Sequence, residues 1–94
     1  MMNRRSKRTQ EEILYDILLT ILNRSGRIKQ TQLMTKANLS YKLMKNYLED
    51  LVKKDYVDFI KKNDRKYLII TDKGRDFLDN LIKVKTFKET MGLD

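Results

Sequence analysis

The apolar period of this chain changes at Tyr56, and that change narrows the folds open to it more than any other feature. Up to Lys54, apolar residues recur every three or four positions, the spacing of helices packed on one face. Ile13, Leu14, Ile17, Leu18 and Ile21 form one such stripe, widened by Tyr15, Leu19 and Leu22 until it covers most of the helix. A helix apolar over so much of its surface is expected to be buried on two sides. Met44, Leu48 and Leu51 form a second stripe. Then come two β-rich runs, Tyr56-Val-Asp-Phe-Ile60 and Tyr67-Leu-Ile-Ile70, separated by the polar Lys61-Lys-Asn-Asp-Arg-Lys66. The Asn-Asp pair is suited to turn the chain, so the spacing predicts a hairpin with a basic tip. The helical period returns after Thr71 and continues to about Met91.

The helix boundaries are marked chemically. Thr9-Gln-Glu-Glu12 has capping-box spacing, which predicts a helix start at Thr9. Gly26 suits the left-handed residue that closes this helix. A short helix is expected over residues 31–37, stopped by Asn38, with Leu39 as a buried anchor in the turn. Ser40 then caps a helix over residues 41–54, and Thr71 caps the last one, with Asp72 at its positive end. The order is helix, helix, helix, strand, strand, long helix. Two helices joined by a tight Asn-Leu-Ser turn and followed by a hairpin make a winged helix-turn-helix, a mainly α fold with a β-hairpin wing.

From Leu39 onward the resemblance to winged-helix regulators is close. It rests on Leu39-Ser40, then Met44, Leu48 and Leu51, then Tyr56-Val57, and on Ile70-Thr-Asp-Lys-Gly-Arg-Asp-Phe-Leu78. With Ala37-Asn-Leu-Ser-Tyr41 added, residues 9–90 resemble a family of small archaeal winged-helix proteins. That family includes chromatin-associated dimers joined by an antiparallel C-terminal coiled coil. Asp55 stands where such proteins usually have glycine, a position asking for left-handed backbone, which aspartate tolerates better than most residues. The resemblance implies duplex-DNA binding, as a transcriptional regulator or a chromosome-organising protein, and a homodimer.

Charge supports a polyanionic partner. The 94 residues carry 21 basic and 13 acidic side chains, a net +8. Residues 72–94 hold five of each and are neutral, so the whole excess lies in residues 1–71. Arg4, Arg5, Lys7 and Arg8 supply +4, and Arg24, Arg27, Lys29 and Lys36 another +4. An asymmetry of this kind predicts one basic face and one end used otherwise. The chain divides accordingly into a basic arm (1–8), a DNA-binding unit (9–71) and a dimerisation helix (72–94).

Three groups are expected on DNA. The first is Tyr41, Lys42, Lys45 and Asn46, outward at the start of the recognition helix, where lysine reaches guanine or phosphate and asparagine pairs with adenine. The second is Lys61, Lys62, Arg65 and Lys66 on the hairpin, suited to phosphate or the minor groove. The third is the arm, Arg4, Arg5, Lys7 and Arg8, which would follow a groove or bind phosphate. Each has a plainer reading: a solvated helix face, protection of an edge strand by lysine, and a solubilising tail. Leu43 and Tyr47 are expected to pack on the first helix.

In the last helix, Phe77, Leu81, Val84, Phe87 and Met91 share an arc of about 120°, more than one small domain would cover. They are the expected dimer interface. Leu78 and Ile82 lie on another face, expected to turn toward the domain itself. The plainer reading is a helix folded back over its own domain.

Other chemistries lack their residues. No cysteine or histidine is present, which removes disulfides and the commonest catalytic and metal-binding arrangements. There is no phosphate-binding glycine loop, so no cofactor is implied and no enzyme is expected. MMNRRSKRTQ has charge without an apolar segment, and Ile13–Leu22 is too short for a bilayer and contains Asp16. A soluble, cytoplasmic and chromosome-associated protein with no membrane partner is expected. A winged helix that docks an acidic protein, or one that binds structured RNA, fits the same charge.

Overall fold

A computed structural model describes residues 8–92. The order is α1 (Gln10–Asn23), β1 (Arg27–Ile28), α2 (Gln30–Lys36), α3 (Tyr41–Lys53), β2 (Val57–Lys62), β3 (Arg65–Ile70) and α4 (Asp72–Met91). The three strands form one antiparallel sheet in the order β1-β3-β2. Arg4, Arg5 and Lys7 of the expected arm lie outside the described residues.

The caps predicted from sequence start the helices. The Thr9 hydroxyl accepts from Glu12 N–H at 3.1 Å while Thr9 N–H donates to Glu12 Oε1 at 2.8 Å, closing a capping box. Ser40 Oγ accepts from Leu43 N–H, and Thr71 Oγ1 from Gly74 N–H. Asn38 and Asp55 have left-handed φ of 54° and 66°. The Asp55 carbonyl accepts from the Thr71 hydroxyl at 2.6 Å, which ties the end of α3 to the start of α4.

The core draws on every layer. Ile17, Leu18 and Ile21 of α1 are fully buried with Ile28, Leu33, Met44, Leu51, Leu68 and Leu78. Leu43 and Tyr47 pack partly buried against this core. Gly74 sits where α4 crosses the chain before β2, and a Cβ there would collide with the Tyr56 carbonyl. The first two turns of α4 therefore belong to the same core as residues 9–71.

Two features differ from expectation. β1 has no sequence signal, because two residues are too few for an alternating pattern; it exists through pairing of Arg27 with Ile69 and Ile28 with Leu68. The hairpin loop is two residues, not six. Asn63 and Asp64 have φ of 52° and 63°, positive at both central positions, as the mirror-image hairpin turn requires. Lys61 and Lys62 then pair with Lys66 and Arg65 inside the ladder.

Candidate nucleic-acid interface

The recognition helix α3 presents its expected surface. Met44, Leu48 and Leu51 face the core, which leaves Tyr41, Lys42, Lys45 and Asn46 exposed. Tyr41 is 60% exposed, so its ring is outside the core. The side chains cluster at the N-terminal end, the part of such a helix that meets base edges. One turn further on, Glu49 and Asp50 are exposed, a limit that sequence reasoning missed: they would repel phosphate and favour contact through the first two turns only.

The wing separates its cations by face. Successive side chains on a strand point to opposite sides. Lys61 and Lys66 lie on the core-facing side with Phe59 and Leu68; Lys62 and Arg65 lie on the outward side with Tyr67 and Ile69. Lys66 holds its ammonium 4.4 Å from the Phe59 ring centroid, so its stem covers that half-buried ring. All four remain exposed, but they form two pairs back to back, not one cluster.

Arg8 is placed differently from the arm expected of it. Its guanidinium pairs with Asp16 at 2.7 Å and donates to the carbonyls of Ala37 (2.9 Å) and Asn38 (2.7 Å). These carbonyls lie at the C-terminal end of α2, where the helix leaves acceptors unpaired. Arg8 thus fastens α1 to the turn that sets α2 against α3. An arginine bound to three oxygens inside the fold is a positioning residue for the motif, not a free phosphate contact.

The residues expected at a dimer interface also divide. Phe77 stacks on Tyr56 with ring centroids 4.4 Å apart and planes 4° apart, and Leu81 packs partly buried against the core. Both are largely used by their own domain. Val84, Phe87 and Met91 are 47%, 58% and 58% exposed. Ile82, expected to turn inward beside Leu78, is 37% exposed, whereas Leu78 is buried. Between α1 and α4 runs a groove of about 530 Å³ lined by Tyr15, Leu81 and Val84 with charged rims. Lys88 reaches Glu11 across it at 3.7 Å.

This arrangement is a winged helix-turn-helix, and residues 7–89 match that family; the chain belongs to it. Among its relatives, an uncharacterized protein of the archaeon Methanocaldococcus jannaschii is 33% identical over 82 residues, covering 87% of this chain and 78% of that one. The DNA-binding protein Sso10a-2 from Sulfolobus solfataricus has a similar structure, with a TM-score of 0.77 at 28% identity over 89% of this chain and 85% of that one. The winged-helix DNA-binding protein F93 from STIV superposes with a TM-score of 0.72 at 18% identity, over 86% and 92% of the two chains. The fold and the family therefore agree with the resemblance drawn from the sequence. Among the described residues no helix is long and apolar enough to cross a membrane.

Proposed function

We propose that this protein binds duplex DNA, seating the start of α3 in the major groove with the wing on the flanking backbone. One observation carries the reading: Tyr41, Lys42, Lys45 and Asn46 stand exposed and together at the N-terminal end of α3, on a fold similar to that of the DNA-binding protein Sso10a-2. Lysine and asparagine are the residue types that read base edges, and tyrosine adds a phosphate contact. The arm residues Arg4, Arg5 and Lys7 extend the phosphate contact; Arg8 holds the motif in place. The role is that of a transcriptional regulator or a chromosome-organising protein.

The same reading includes a homodimer joined through the second half of α4. Val84, Phe87 and Met91 stay about half exposed on the domain alone, and each such side chain is worth roughly 1.5–3 kcal/mol when buried. The neutral charge of residues 72–94 lets two copies approach. A two-fold pairing places two recognition helices on one assembly.

Mobility-shift titration at several salt concentrations, with duplex DNA, duplex RNA and single strands of matched length, tests the reading. Tight, steeply salt-dependent binding to duplex DNA is expected, since each neutralised phosphate releases condensed counterions. Preference for duplex RNA, or affinity insensitive to salt, overturns it.

A further inference from the structure

The charge excess of residues 1–71 is larger than α3 and the wing account for, and part of it gathers at the opposite edge of the sheet. The turn from α1 into β1 and the start of α2 enclose an open cleft of about 860 Å³ against the outward side of β3. Arg24, Arg27 and Lys29 line it, and no carboxylate does. A fourth cation, Arg75, brings its guanidinium to 3.1 Å from where a Cβ on Gly26 would stand. None of the three lining cations has an ion-pair partner among the described residues. Arg27 is held rather than loose, its guanidinium 4.8 Å from the Tyr67 ring centroid.

Sheet order gives the cleft its direction. α3 packs beside β2, and β1 is the far strand, beyond β3. Neighbouring strands are about 4.8 Å apart, so β1 lies about 10 Å across the sheet from β2. On the outward side, Arg65, Tyr67 and Ile69 of β3 follow one another, with Arg27 opposite Ile69. Arg65 near the wing tip and Arg27 at the cleft thus stand at the two ends of one outward face, with Tyr67 and Ile69 between them. Asp58, also outward, sits across the sheet on β2, with Oδ1 accepting from Phe59 N–H.

We infer that this cleft is a second phosphate-binding surface, taking the backbone of duplex DNA beyond the stretch that α3 and the wing tip engage. The inference rests on the DNA-binding reading above. Three cations and no anion suit a phosphate strand, and the place beside β1, across the sheet from the strand that α3 packs against, makes the contact one that a longer duplex supplies. Base edges are out of reach there, so the contact adds affinity and no sequence preference.

The test compares wild type with Arg24→Gln/Arg27→Gln/Lys29→Gln on duplexes of about 16 and about 36 base pairs, roughly one and a half and three and a half turns. On the longer duplex the variant is expected to bind about tenfold more weakly. Its log-affinity against log-salt slope should be shallower by about 2, near 0.9 for each phosphate no longer neutralised. On the shorter duplex the two proteins agree within about twofold. Arg24→Gln/Lys29→Gln leaves Arg27 on the Tyr67 ring and shows the same length dependence at reduced size, which separates weaker phosphate binding from a disturbed sheet. Equal weakening on both lengths overturns the inference, as does no weakening on either. Wild type that binds neither duplex refutes the DNA reading itself, a different failure from a variant that binds as wild type does.

Discussion

The first turns of α3 and the last turns of α4 are both helix surfaces that the core does not cover, and they expose opposite chemistry. α3 shows lysine, asparagine and tyrosine hydroxyl; α4 shows valine, phenylalanine and methionine. Both surfaces hang on the same core, α3 through Met44, Leu48 and Leu51 and α4 through Gly74 and Leu78. Charge left in water costs little, whereas an apolar stripe left in water is a liability until something covers it. Under the proposed function the difference assigns two partners: a polyanion to α3 and a second copy of the chain to α4. It also implies that each surface is alterable without unfolding the protein.

That separation is open to direct attack. The largest effect expected is from Lys42→Ala with Lys45→Ala, which should weaken DNA binding about a hundredfold or more, at roughly 1–3 kcal/mol per contact, with an unchanged circular dichroism spectrum. Wild-type affinity in the folded double variant would put the wrong surface on DNA. Val84→Asp with Phe87→Asp should give monomers in sedimentation at micromolar concentration, with DNA affinity lower by about tenfold as the second recognition helix is removed from the assembly. Wild type that itself sediments as a monomer removes the α4 half of the comparison. Arg8→Ala should cost about 2 kcal/mol in denaturant unfolding, because its charge-assisted hydrogen bonds are only partly exposed; Arg8→Lys, which lacks the fork, should recover only part. A variant as stable as wild type but weaker on DNA would return Arg8 to the arm. Smallest is Lys62→Gln with Arg65→Gln, expected to weaken all sequences alike by a few fold, measured on specific and scrambled duplexes.

The helix order and the caps were legible because their causes are local. Thr9 and Glu12 are three residues apart, and Ser40 caps the residue three beyond it. The left-handed sites at Asn38 and Asp55 follow from side chains that tolerate that backbone. What escaped was made by distant partners. β1 exists because Ile69 and Leu68 lie beside it. Lys61, Lys62, Arg65 and Lys66 look like loop residues until Asn63 and Asp64 both turn left-handed and bring them into register. Arg8 reads as part of a tail because its acceptors, Ala37 and Asn38, are about 30 positions away. Phe77 fell on the outward arc by angle alone, and only its stacking on Tyr56 returned it to the domain. The candidate recognition surface needed none of this, since an exposed face is what remains once the core stripe of α3 is known.

Gly74 acts on α4 as a fulcrum acts on a lever. With no Cβ, the helix rests against the Tyr56 carbonyl, and the rest of α4, from Gly74 to Met91, extends about 25 Å at 1.5 Å per residue. A tilt of about 10° at that point moves the far end by about 4 Å, most of a helical turn. In a pair joined at those ends, the error is carried to the spacing of the two recognition helices, and so to the number of base pairs between half-sites. In such a pair the reach along DNA would be set at the glycine, far from both the interface and the groove, and at the Lys88–Glu11 contact that holds α4 along α1.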